Sequence, residues 1–149
     1  MYVLPRVDHL FIMTISYHYN YNSNVVNTLV SGKLTCEQLG THFEKLLQDK
    51  SLLSNYIEVV DLNLATDFEA SFTAMQQLAL DARRLMTSGH QVSIFLAFNK
   101  NSRDILSMMS YLFQKLPLTI CLCQSVEEAR ENLAIISNNM NTPELACIV

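Results

Sequence analysis

Little in this sequence interrupts a fold. Its 149 residues include three glycines and three prolines, too few for a disordered or fibrous chain. Positive charge is scarce too. Ten Lys and Arg stand against 14 Asp and Glu, a net charge of −4, and the paired basics Arg83-Arg84 fall within a helical pattern. A nucleic-acid partner or an anionic membrane surface is therefore not expected. No window approaches the ~20 apolar residues that a membrane-spanning helix needs, so no membrane span is expected. The opening stretch MYVLPRVDHLFIM is interrupted by Pro5, Arg6, Asp8 and His9, and lacks the continuous apolar segment of a secretion signal.

Chemical motifs are missing as well. There is no glycine-rich phosphate loop, no GxSxG and no HExxH, and His9, His18, His42 and His90 are scattered. Nothing positive points to an enzyme, so no enzymatic activity is expected. The cysteines Cys36, Cys121, Cys123 and Cys147 form no CxxC pair. Cys121 and Cys123 sit two apart in a strand-like run, on the same side, where a small buried hydrophobe fits. Neither a metal nor a cofactor is expected, and reduced thiols fit a cytoplasmic protein.

What is present is a core. Half the residues are hydrophobic and 16% are charged, the balance of one compact domain. The organising stretch is Tyr56 to Phe72, YIEVVDLNLATDFEASF. Ile57, Val59 and Val60 form a β-branched run that predicts a central strand covered on both faces and ending near Leu62. Thr66 and Glu69 stand in capping-box spacing, which predicts a polar loop and then a helix start at that point.

Elsewhere the pattern is equally regular. Thr14 to Tyr19 alternates as a half-exposed strand, and Val25 to Ser31 follows a turn-rich Asn20–Asn24 to complete a hairpin. Gly32-Lys33-Leu34 reads as a turn, and Thr35 to Gln38 as the capping box of a helix with Leu39, Phe43, Leu46 and Leu47 inward. A second helix carries Phe72, Met75, Ala79, Ala82 and Met86 on its inner face and stops at Gly89. Gln91 to Phe98 reads as a strand. Asn101 or Ser102 caps a third helix, with Ile105, Met109, Leu112 and Leu116 inward and Pro117 ending it. Leu118 to Cys123 is the last strand, and Ser125 to Glu128 opens a fourth helix with Val126, Ala129, Leu133 and Ile136 inward. The predicted order is β-β-α-β-α-β-α-β-α, an α/β domain with a mostly parallel five-stranded sheet and an N-terminal antiparallel hairpin. Residues 1–12 are set apart as an extension (Met13 is an alternative start), 13–140 as the domain and 141–149 as a tail.

This element order, the Val30-Ser31-Gly32-Lys33-Leu34-Thr35 turn and the Val59-Val60-Asp61-Leu62 strand end resemble the SpoIIAA-like family, bacterial relatives of STAS domains, over about residues 13–137. The resemblance implies a sheet flanked by helices, no cofactor, no enzymatic activity, and a regulatory module that binds a protein partner. In antagonist members a serine within Asp-Ser-Ser-Gly is a phosphorylated switch. That motif falls on Glu69-Ala70-Ser71-Phe72, so Ser71 matches the phosphoacceptor and Glu69 replaces the Asp, while Ala70 and Phe72 depart from the pattern. Other members resemble a lipid-binding type of fold, which implies an alternative: a carrier or sensor of a small apolar ligand.

Ligands of parallel sheets gather at the carboxyl ends of strands. The candidate partner face there is Asp61, Asn63, Thr66, Asp67 and Glu69 after one strand, and Asn99, Asn101, Ser102 and Arg103 after the next. Phe72, Met75, Met108, Met109, Leu112 and Phe113 are the candidate apolar pocket. The first strand, with Tyr17 and Tyr19 and no Lys, Arg or Pro, reads as an unprotected sheet edge, and a homodimer through it is expected.

Overall fold

The computed structural model describes residues 14–89, 92–114, 116 and 119–139. The expected N-terminal extension and C-terminal tail lie outside them. The described chain runs β1 (Ile15–Asn20), β2 (Val25–Thr35), α1 (Cys36–Gln48), β3 (Ile57–Glu69), α2 (Phe72–Thr87), β4 (Val92–Leu96), α3 (Lys100–Phe113), β5 (Thr119–Cys123) and α4 (Val126–Asn139). The five strands form one sheet in the order β1-β2-β3-β4-β5, with β1 antiparallel to β2 and every later pair parallel. The α/β class, the hairpin and the central place of β3 follow the sequence pattern.

The faces of the sheet are unequally covered. Period-two alternation sends Val26, Thr28 and Val30 of β2, and Tyr56, Val60 and Leu62 in and beside β3, to one face. There they meet Leu39, Phe43 and Leu46 of α1, Leu78, Ala82 and Leu85 of α2, and Ile105, Leu106 and Met109 of α3. On the other face Ile57, Val92, Ile94, Cys121 and Cys123 pack with Ile136 of α4. Where α4 does not reach, the sheet surface is exposed at Ser16, His18, Asn27 and Leu29.

Two boundaries differ from the sequence expectation for one reason. β2 does not turn at Gly32 but continues to Thr35, and β3 does not stop at Leu62 but continues to Glu69. The two strands pair as far as Thr35 opposite Glu69, with register shifts at Leu29/Ser31 and Gly32/Lys33. Gly32 takes φ +72°, a left-handed conformation that lets β2 kink and resume. The backbone groups of the supposed loop are thereby bonded across the sheet, and Leu34, Ala65 and Phe68 reach the core.

α2 consequently starts later than the Thr66–Glu69 box predicts, and its apolar stripe is Leu78, Ala82 and Leu85. Phe72, expected inward, is 66% exposed. The box at Thr35–Gln38 does form: Thr35 Oγ1 accepts from Gln38 N (3.1 Å) and Gln38 Oε1 accepts from Thr35 N (2.9 Å). In α3 the cap is Asn99 rather than Asn101 or Ser102. Val126, expected inward in α4, is exposed.

Candidate functional site

The longer β3 decides where Ser71 stands. After Glu69 the chain leaves the sheet, Ser71 takes an extended conformation (φ −102°, ψ 161°), and α2 begins at Phe72. Ser71 is thus the N-cap. Its Oγ accepts from Ala74 N at 3.1 Å, and its carbonyl accepts from Met75 N at 2.9 Å. The side chain is exposed, and the first turn of α2 carries no Asp or Glu. One residue on, the exposed ring of Phe72 projects from the same helix start.

Two residues before it, Glu69 pairs with Lys33 across β2 and β3, Nζ to Oε2 at 2.6 Å. The bond to Glu69 and its charge hold the Lys33 ammonium above its ordinary value. Both side chains are more than half exposed, so the pair contributes little to stability.

The rest of the expected partner face divides in two. Asp61 Oδ1 accepts from Asn63 N (2.9 Å) and Nδ2 (2.8 Å), and Asn63 Oδ1 accepts from Phe98 N (2.7 Å). Asn99 Nδ2 donates to Asn63 O (3.0 Å), and Asn99 Oδ1 accepts from Ser102 N (2.9 Å). Ser102 is fully buried and donates through Oγ to Asn99 O (2.9 Å), while Arg103 Nη1 donates to Phe98 O (2.9 Å). These groups tie the end of β3 to the start of α3. Thr66, Asp67, Glu69, Ser71 and Asn101 are exposed beside them.

Of the expected apolar residues whose side chains are described, Met75 and Met109 join the same core and the other two point outward. Phe72 and Met108 are exposed (66% and 46%), Met75 is half-buried and Met109 is buried. The side chains of Leu112 and Phe113 lie outside the described residues. A cavity of about 30 Å³ beside Met109 has room for little more than water, against ~300 Å³ or more for an ordinary ligand. A surface groove of about 420 Å³ lies elsewhere, between β1 and α1, and its lining includes Glu37, Gln38, Thr41 and Lys45.

Sequence reasoning missed one polar cluster altogether. Glu58 of β3 lies beneath α1, where its Oε2 accepts from Thr28 Oγ1 (2.6 Å) and sits 2.6 Å from His42 Nε2. All three residues are at most 5% exposed. The signal was available: His42 lies three residues from Leu39 and four from Leu46, on the apolar stripe of α1. Glu58 also has its place in the inward alternation of a central strand. The ring of Tyr17 stands edge-on to His42 at 5.8 Å, and its hydroxyl donates to Asp49 Oδ2 at 2.7 Å. The cluster lies under α1, joins helix to sheet and lines the small cavity, and His42 also borders the groove between β1 and α1. Among the described residues no group of acidic, His and Cys side chains is arranged to hold a metal ion.

The architecture is an α/β domain built on a mixed five-stranded sheet, with a serine capping α2 where the chain leaves β3. No protein-family model and no curated protein matches the chain. Among solved structures it is similar to the anti-sigma factor antagonist SpoIIAA in its unphosphorylated form. The identity is 11% and the TM-score 0.47, over 80% of this chain and 96% of that one. No helix among the described residues is long and apolar enough to cross a membrane.

Proposed function

We propose that this chain is a non-enzymatic regulatory module that binds a protein partner through the start of α2, and that phosphorylation of Ser71 switches the binding. The observation that carries the reading is the placement of Ser71 as an exposed N-cap; the resemblance read from the sequence aligns this serine with the phosphoacceptor of antagonist members. A phosphate there would face the first backbone N–H groups of α2 and the positive end of its dipole. It would add a charge of about −1.5 to −2. Lys33, now on Glu69, stands on the same strand ends and offers a counter-charge.

Phe72 supplies the anchor that a partner face needs. A large aromatic exposed beside the switch can enter a partner's pocket, where such residues commonly dominate binding. Thr66, Asp67, Glu69 and Asn101 are the exposed polar residues of the expected partner face. A second copy of the chain is the other candidate partner. β1 is the outermost strand and contains no Lys, Arg or Pro. Light scattering at micromolar concentration tests that assembly, and a monomer there rejects it.

The switch is tested by intact-mass spectrometry and site mapping of the protein from its native cell. A fraction heavier by one phosphate, mapped to Ser71 and absent from Ser71→Ala, is the expected result. A uniformly unmodified Ser71 across growth conditions removes the switch.

A further inference from the structure

The sheet edge opposite β1 carries a second surface. β5 is outermost there, and among the described residues no strand pairs with its outer side. Its sequence, Thr-Ile-Cys-Leu-Cys, contains none of the charges or prolines with which edges are usually protected. Cys121 and Cys123 point under α4 and are buried, whereas Leu122 points to the other face and is 46% exposed. On that face α3 lies over β3, and Ile120 packs on the core beside it while Leu122 stays exposed. The result is a groove of about 210 Å³ between α3 and β5. Ala97, Leu106 and Leu122 give it an apolar floor; Ser107 and Gln124 are polar, and Arg103 is the one charged residue in its described lining, while Glu128 Oε2 accepts from Gln124 N at 2.9 Å at the strand's end.

We propose that the outer edge of β5 and this groove together take an extended acidic peptide from another protein. The peptide main chain would pair with β5, one apolar side chain would sit on Leu106 and Leu122, and a carboxylate would meet Arg103. Each part of the surface asks for a part of this occupant. An open strand edge presents N–H and C=O groups that only another strand satisfies in register. The groove is smaller than the ~300–1,000 Å³ of small-molecule sites, and suits side chains of a peptide held on the edge. Arg103 is exposed, and its bond to Phe98 O directs the guanidinium without neutralising it. The neighbouring Asp104 is engaged by Lys100 at 2.8 Å. A second copy of β5 fits less well, because Thr119–Cys123 bring no carboxylate to Arg103.

The surface is independent of the Ser71 reading, and the test keeps the two apart. Two pools of labelled synthetic peptides alternate Thr with Val, Ile or Leu and end in Asp or in Lys. Both are titrated against the full chain by fluorescence anisotropy, and hydrogen exchange is followed across residues 119–123. The acidic pool is expected to bind at least about tenfold more tightly than the basic one and to slow exchange in β5. Arg103→Glu should reverse the preference, Leu122→Glu should abolish binding, and Ser71→Asp should leave it unchanged. Leu122→Thr, which keeps strand propensity, carries the same test if Glu unfolds the chain. Equal affinity for both pools, or unchanged exchange in β5, overturns the proposal. So does self-association that Leu122→Glu abolishes, since it gives the edge to a second copy.

Discussion

His42 Nε2 and Glu58 Oε2 lie 2.6 Å apart, each side chain 4% exposed, and Thr28 donates to the same oxygen. One carboxylate on the central strand therefore binds both the neighbouring strand and α1. Removing it leaves buried donors with a lost acceptor. Glu58→Ala should cost about 3–5 kcal/mol in urea unfolding. The double variant His42→Leu/Glu58→Leu should lose clearly less than Glu58→Ala, because the imidazole is not left beneath α1 without its partner. Fully additive losses would show that the pair is not coupled.

Tyr17 gives the pH dependence. Burial first, then its bond to Asp49 and the charge of Asp49, push its hydroxyl up to about 12. The folded value exceeds the ordinary one of about 10, so the fold favours the neutral phenol. Its contribution to stability is whole below pH ~10 and is lost as the pH rises through about 12. Asp49 runs the other way. Ser51 first and Tyr17 next hold it below the usual carboxylate range, and its contribution is lost on acidification. Burial, and then the charge of Glu58, also raise Tyr56 strongly. In an alkaline absorbance titration Tyr17→Phe should remove one late-ionising phase. Ionisation of all tyrosines near pH 10 would contradict the packing of β1 on α1.

Gly32 stands in the left-handed region where β2 shifts register against β3. A Cβ there would meet nothing within 4 Å, so Gly32→Ala tests backbone conformation alone at φ +72°. We expect a loss of about 1–2 kcal/mol, and a smaller one for Gly32→Asn, which tolerates the left-handed region better. Equal stability of wild type and Gly32→Ala would mean that β2 does not need this kink.

Two of the capping boxes read from the sequence show what it could and could not reveal. Thr35–Gln38 and Thr66–Glu69 carry the same local signal, yet only the first forms a cap. The second lies opposite Lys33 to Thr35, and pairing with a strand more than 30 residues away overrides a cap worth about 1 kcal/mol. The strand periodicities, the central place of β3 and the inward stripe of α1 are local properties, and were legible. The exposure of Phe72 was not, because the phase of α2 depends on where β3 releases the chain. The Thr28–His42–Glu58 cluster needed three elements brought together, which no single stretch displays.

Phe72 separates stability from binding. Since 66% of the residue is exposed, Phe72→Ala should change unfolding by no more than about 0.5 kcal/mol while weakening partner capture. A large loss of stability would place the ring in the core after all.

The most direct test of the switch is quantitative capture from native lysate on immobilised wild type, Ser71→Ala and Ser71→Asp. A defined set of proteins should be enriched on wild type and on Ser71→Ala, and reduced about fivefold or more on Ser71→Asp. The same set at the same level on all three would contradict the proposal that charge on the α2 cap controls what this domain binds.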